Sequence, residues 1–386
     1  VLSGLALALA TCAAVSLVPG VRSLLSGLDD AVMALDAATG TATAMVFGYL
    51  GGAPSPFIEG GAGSTFVLAF RALPIVIVMS ALSALLFHWR ILPWVIRGFA
   101  RVLTRVPGIG GVAGMSAAAN VLVGMVEAPL FVRPYLASLS RGELFLVMTG
   151  GMATVAGTVM VLYAGVLGPV LPDALSHIVA ASVIATPVAI AVAALMVPFA
   201  PPAPGEALPV LGSSDASATD AVTRGALEGA SLLVNIVALL IVFVALATLA
   251  NLALSLLPQV GGTPITLQRL LGLAFAPMAW LVGVPWGEAM TAGSLLGTKT
   301  VLNELLAYLQ LAALPEGELS ARSRLLMTYA LCGFANLGSA GILIGGLATL
   351  LPARRAEIAA LGVRSIASGT LATCITAALV GVFVPT

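Results

Sequence analysis

The chain has 386 residues, of which 60% are hydrophobic and 8% charged, with a formal net charge of zero. A soluble domain carries charge on roughly a quarter of its positions, so this composition and a mean hydropathy of +1.12 exclude an ordinary solvated globule and predict an all-α polytopic membrane protein. Neither sign of charge forms a long block, so no nucleic-acid partner is implied.

The first apolar run, near 1–19, resembles a signal sequence but has no basic segment before it, and it reads as a membrane segment. The next stretch, "RSLLSGLDDAVMALDAATGTATAMVFGYLGG", puts Leu24, Leu25, Leu28, Val32 and Leu35 on one helical face and Asp29, Asp30 and Asp36 elsewhere. That pattern predicts an amphipathic helix lying in the interface. A span near 66–88 follows, then a second interfacial helix over 90–105, where Arg90, Arg97, Arg101 and Arg105 surround an apolar face with Trp94 and Phe99. Further full spans are expected near 143–168, 174–199, 229–257, 325–351 and 366–385, giving about seven of the length needed to cross roughly 30 Å of hydrocarbon. The Pro-, Ala- and Ser-rich stretch 198–229 has no periodic apolar face and is expected to link two halves flexibly. Arg354, Arg355 and Arg364 are read as one short basic loop, cytoplasmic by the positive-inside rule.

Two stretches are interrupted. One, about 108–139, contains Gly124, Glu127 and Pro129; the other, about 264–298, contains Pro285, Gly287 and Glu288 and runs into "GTKTVLNELLAYLQL" with Glu304. Backbone broken by Gly and Pro is tolerated at membrane depth only inside protein or along a wet cavity. Both stretches are therefore predicted to be re-entrant hairpins, each beside a discontinuous helix. Their recurrence predicts an internal inverted repeat and a secondary transporter with its site near the midplane. The expected division is N-terminal scaffold and interfacial helices over 1–107, a first transport-domain half over 108–199, a linker and long scaffold helix over 200–263, and a second half over 264–386.

An acid at the centre of a span costs about 2.5–3.5 kcal/mol on insertion scales, so each needs a partner or a task. Glu127 has Arg133 in reach, Glu304 has Lys299, and Glu288, close to a Trp and a Pro at the expected hairpin tip, could brace that hairpin; ion pairs would account for the first two. For Glu127 and Glu304 the functional reading is the stronger, because Asn120 lies two helical turns before Glu127 and Asn303 adjoins Glu304; Asn336 and Ser339, three apart on one helix face, read on their own as a helix-packing contact. An enzyme is disfavoured: Cys12, Cys332 and Cys374 are scattered and His88 and His177 have no acidic partner in sequence reach. No catalytic residue and no resident cofactor is assigned.

The stretches "MSAAANVLVGMVEAPLFVRPYL", "GELFLVMTGGMATVAGTVM", "PMAWLVGVPWGEAMTAGSLLGTKTVLNELLAY" and "YALCGFANLGSAGILIGGLATLLPARRAEIAALGVRSIASGTLA" resemble the concentrative nucleoside transporter family over residues 40–385. The resemblance implies a cation-coupled nucleoside symporter of the inner or plasma membrane. It also implies a lipid-embedded homotrimer in which a moving transport domain passes a fixed scaffold, with a start one helix later than the bacterial form. By resemblance, the sugar end of the substrate falls on Glu304, Asn336 and Ser339 with Phe334, and the base end on Gly124, Met125, Val126 and Glu127 with Val159. Sodium falls on the side chains of Asn120 and Thr154 and the carbonyls of Val123 and Val155; proton coupling with broad or pyrimidine preference is the alternative. Pyrimidine-favouring members usually carry Gln and Thr where this chain has Met125 and Val126. Losing those two polar side chains implies a preference for purine nucleosides.

Overall fold

The computed structural model describes residues 1–57, 66–200, 208–209, 215–260 and 262–384. These are helical, with one isolated bridge between Val260 and Thr263. Helix α1 (Leu2–Leu17) stops at Pro19, which opens α2 (Pro19–Phe47). At 16 residues α1 is short for the full span expected near 1–19. Helix α2 departs from the interfacial expectation in the other direction, because the segment 19–51 is long and apolar enough to cross a membrane. Its Asp29, expected on a solvated face, accepts from the Leu175 N–H at 3.1 Å and so caps a neighbouring helix.

A short turn α3 (Leu68–Arg71) leads into α4 (Ile75–His88), and a left-handed Arg90 (φ 63°) reverses the chain into the basic helix α5 (Ile91–Arg105). The first hairpin follows as α6 (Gly111–Asn120) and α7 (Glu127–Phe131). The predicted span 143–168 is two helices, α8 (Arg141–Ala153) and α9 (Gly157–Leu167), parted at Thr154–Ala156. Ser140 and Glu143 start α8 with a reciprocal capping box. The continuous α10 (Ala174–Met196) closes the half.

Helix α11 (Ala218–Leu254) starts well before 229, so the expected linker loses its last third to helix; Ser217 caps it by accepting from the Asp220 N–H at 3.1 Å. Most of the remaining linker, 201–207 and 210–214, lies outside the described residues. The second half then repeats the order of the first. Helix α12 (Leu267–Val282) corresponds to α5, and α13 (Ala289–Val301) with α14 (Glu304–Ala313) corresponds to the α6–α7 hairpin. The chain does reverse near Glu288, between α12 and α13, which pack along their lengths, but the second hairpin expected over 264–298 with its tip there falls later, at α13–α14. Glu288 accepts from Ser320 N–H at 3.1 Å and braces the α12–α13 reversal. The reversal that matches the first hairpin tip is Leu302–Asn303. The predicted span 325–351 is again broken, into α15 (Ala321–Leu331) and α16 (Leu337–Leu350), and α17 (Arg355–Phe383) ends the repeat. Arg355 and Arg364 lie in α17 rather than in a loop.

Among the described residues, six helical segments are long and apolar enough to cross a membrane: 19–51, 68–88, 141–167, 174–196, 218–254 and 352–383. The least covered is α11, where Val234, Ile241, Val242, Val244, Leu246, Leu249 and Leu252 are exposed while Leu232, Leu233, Ile236, Val237 and Leu240 pack against the core. Among the described residues the most extensive partner of α11 is α4. A Cβ on Gly225 would lie 2.7 Å from the Ser80 carbonyl oxygen, and one on Gly229 would lie 2.7 Å from Ile77 Cα. Small residues let the two backbones touch, which is how helices associate when lipid removes the hydrophobic incentive. Gly225→Leu is expected to destabilise the protein by about 1–3 kcal/mol through overpacking, read as a lower melting temperature in detergent.

Candidate functional site

The two broken helices cross at their unwound segments. Phe334 N–H, in the α15–α16 break, donates to the Thr154 carbonyl in the α8–α9 break at 3.3 Å. The approach is backbone to backbone: a Cβ on Gly333 would lie 2.8 Å from the Met152 carbonyl oxygen and 2.8 Å from Thr373 Cγ2. Every other functional element is hung on this crossing.

On one side of it lies the first hairpin tip. Gly157 N–H, opening α9, donates to Leu122 O at 3.2 Å, and a Cβ at Gly157 would lie 2.5 Å from that oxygen. Asn120 Nδ2 donates to Thr154 Oγ1 at 3.0 Å, and Thr154 Oγ1 donates to Gly150 O at 3.1 Å. The amide oxygen of Asn120 is buried and has no hydrogen-bond partner. A buried acceptor without a donor costs about 1–3 kcal/mol, and an oxygen of this kind beside a hydroxyl is what a hard monovalent cation takes as ligand. Val123 is half-buried at the tip and Val155 is buried in the break, its N–H 3.5 Å from Ser182 Oγ. Of the residues assigned to sodium by resemblance, Asn120 and Thr154 are in direct contact through their side chains, while Val123 and Val155 lie in the adjoining hairpin tip and helix break.

Gly124 has φ 117°, a left-handed conformation that other residues adopt at a cost, and it leaves room for the Glu127 carboxylate, 2.7 Å from where a Cβ would stand. Glu127 opens α7 and is exposed into a cavity of 660 Å³. Its wall includes Val126 and Glu127 of the hairpin, Thr158 of α9, Ser83 of α4, and Glu228 and Asn235 of α11. That volume lies within the range of about 300–1,000 Å³ typical of small-molecule sites. Met125 is outside this lining: it is buried against Gly151 of α8, with Leu343 of α16 beside that glycine. Val159 is buried on α9, next in sequence to the cavity-lining Thr158.

On the other side of the crossing, Glu304 opens α14 as Glu127 opens α7. It is 6% exposed. Its Oε1 accepts from Tyr163 Oη at 2.7 Å and its Oε2 from Asn336 Nδ2 at 2.9 Å. Asn336 is the N-cap of α16, its Oδ1 accepting from Ser339 N–H at 2.7 Å, so its amide is fixed at both ends. Phe334, half-buried, and Ser339, buried, flank it.

Neither ion pair that the spacing allowed is formed. Among the described residues the ion pairs are Arg224 with Asp215 and Glu228, and Arg354 with Glu357. Lys299 turns instead to the Ala330 carbonyl and Thr373 Oγ1, both at 2.8 Å. Sequence reasoning missed Tyr163 as a partner of Glu304 and missed the Ala330 and Thr373 acceptors that Lys299 takes in place of that carboxylate. Tyr163 was within reach of such reasoning, four residues after Val159 on the same helix face.

Residues 177–381 match a family model described as Na+ dependent nucleoside transporter C-terminus, and residues 69–170 match one described as nucleoside recognition. The chain belongs to the concentrative nucleoside transporter family. This family member is 34% identical to the nucleoside permease NupC of Helicobacter pylori, over 95% of this chain and 87% of that one. It is 36% identical to an uncharacterised transporter of Haemophilus influenzae, over 100% and 91%. Human solute carrier family 28 member 3 matches at 33% identity over 88% of this chain and 52% of its own length. Its fold is similar to a CNTnw structure in an inward-facing substrate-bound state, with TM-score 0.89 and 34% identity over 99% of this chain and 90% of that one. A double variant of CNTnw in an outward-facing state gives TM-score 0.90 at 34% identity over the same shares.

Tyr163→Phe removes one of the two donors on the buried Glu304 carboxylate. It is expected to cost about 1.5–3 kcal/mol, the value of a hydrogen bond to a charged group, seen as a fall in the detergent melting temperature.

Proposed function

We propose that the protein is a sodium-coupled nucleoside symporter that brings nucleosides into the cell. The observation that carries this is the shared crossing: the α8–α9 break, to which Asn120 with its orphaned oxygen is bonded, and the α15–α16 break, which bears the Asn336 partner of Glu304, are joined by one backbone hydrogen bond, Phe334 N–H to Thr154 O. Sodium held by Asn120, Thr154 and the carbonyls of Val123 and Val155 fixes the first hairpin tip against the α8–α9 break. The same break holds the backbone that presents Phe334 and Asn336. Ion binding therefore orders both ends of the substrate site, and by linkage the substrate raises ion affinity by the same factor.

At the sugar end, a carboxylate has about four acceptor positions. Tyr163 and Asn336 take one on each oxygen of Glu304, leaving acceptors for the vicinal hydroxyls of a ribose. At the base end, Gly124, Met125, Val126, Glu127 and Val159 form the hairpin side. Of the two apolar replacements, Val126 faces the cavity and Met125 packs behind it. Apolar contact there favours the larger, more stackable purines over uridine. The transport domain, residues 108–199 and 264–386, moves as an elevator past a scaffold that includes α4 and α11. The broad outward apolar face of α11 supports burial against lipid and against two further copies in a homotrimer of the inner or plasma membrane.

Uptake of radiolabelled adenosine by cells expressing the protein is expected to disappear in sodium-free buffer at constant pH. Full uptake there refutes sodium coupling. Uridine is expected to compete less well than adenosine, and Val126→Thr with Met125→Gln to narrow that gap; uridine outcompeting adenosine in the unaltered protein sinks the purine preference. Glu304→Gln places an amide where two donors already point and is expected to raise the nucleoside KM at least tenfold, about 1.4 kcal/mol.

A further inference from the structure

Lys299 lies in the last turn of α13 and is fully buried, 0% exposed, which is rare for a lysine. Its Nζ has two neutral acceptors at 2.8 Å, the carbonyl of Ala330 in the last turn of α15 and Thr373 Oγ1 of α17. The ammonium thus ties three helices together just before the α15–α16 break. A cation is favoured beside the carbonyl end of a helix, where the last C=O groups lack helical partners.

The repeat gives this position its meaning. In the first half, Asn120 ends the leading limb of a hairpin and reaches the break between α8 and α9, where its Oδ1 is left as a buried acceptor in want of a cation. In the second half, Lys299 is near the end of the leading limb of the corresponding hairpin and reaches the end of the helix that corresponds to α8. Acceptors stand at both breaks. Only the second half carries its own positive charge to them.

We propose that Lys299 is a tethered cation, a positioning residue that does for the α15–α16 break what the coupling ion does for the α8–α9 break. By fixing the end of α15 it holds Phe334 and Asn336 in register with Glu304. The α15–α16 break then carries a permanent cation of its own, while the α8–α9 break, and with it the Thr154 carbonyl that holds Phe334, depends on the mobile ion. This rests on reading Glu304 and Asn336 as the sugar site.

The test measures nucleoside KM and sodium half-saturation for Lys299→Met, Thr373→Val, Lys299→Ala and Glu304→Gln, with surface level and elution profile as controls. Lys299→Met keeps the side-chain length without the charge and is expected to raise nucleoside KM about tenfold or more, with sodium half-saturation unchanged within about twofold. Thr373→Val removes one acceptor only and is expected to raise KM by a smaller factor, which keeps the test open where Lys299→Met does not reach the surface. In Lys299→Ala, added methylammonium is expected to lower KM toward the wild-type value, whereas methanol, neutral and of similar size, leaves it raised. A packing role predicts equal effects from the two additives, and that result overturns the proposal. A loss in Glu304→Gln with wild-type KM in Lys299→Met and Thr373→Val also overturns it and leaves the sugar site standing. A wild-type KM in Glu304→Gln overturns the sugar site itself, whatever the lysine variants do.

Discussion

The structure depends on one contact between two peptide groups, the Phe334 N–H on the Thr154 carbonyl, where two interrupted helices meet. In a membrane interior, every unpaired N–H or C=O costs several kcal/mol, so a helix cannot be opened unless something re-satisfies its ends. Here each break supplies part of what the other lacks. The remaining ends are met by the first hairpin tip, through Gly157 and Leu122, and by side chains: Asn336, capping α16, and Lys299, on a carbonyl of α15. Glycine at 157 and 333 is what lets backbone reach backbone at these points.

The arrangement makes the ion-type oxygens and the Glu304 pair neighbours through bonds, without sharing a side chain. Communication between them needs no long path. A displacement of Thr154 is a displacement of the acceptor that holds Phe334, two residues from Asn336. The cavity beneath Glu127 has walls from both the repeated core and the α4–α11 pair, so sliding one against the other alters the cavity as a whole.

Much of this was legible in the sequence because a charge in an apolar chain is conspicuous. Glu127 and Glu304 were found that way, and the order in which they recur marked the repeat. The Asn and Ser residues near them were equally visible. What the sequence concealed was pairing. Glu304 was matched with Lys299 because they are five residues apart and opposite in charge, but the helix ends between them at Leu302, and the two side chains leave toward different partners. Tyr163 is 141 positions from Glu304, and no local pattern announces a contact of that range. Hydropathy likewise read 143–168 and 325–351 as continuous, because Thr154–Val155 and Cys332–Ala335 are as apolar as a span requires. The breaks come from tertiary contacts, which a window average does not see. Helix α2 misled in the opposite way, since Asp29 satisfies a buried helix end and looked like a residue for water.

Asn336 holds two posts at once, capping α16 with its oxygen and fixing Glu304 with its nitrogen. A replacement there surrenders both, so a change of diet by this route also loosens the start of a helix. Val126 has no such double duty, since it touches Gly346 of α16 and the cavity but bonds to nothing through its side chain. On the proposed reading of the site, diversification of what such proteins accept is thereby steered toward the hairpin end at Val126, while the end at Glu304 and Asn336 stays locked by its own scaffolding.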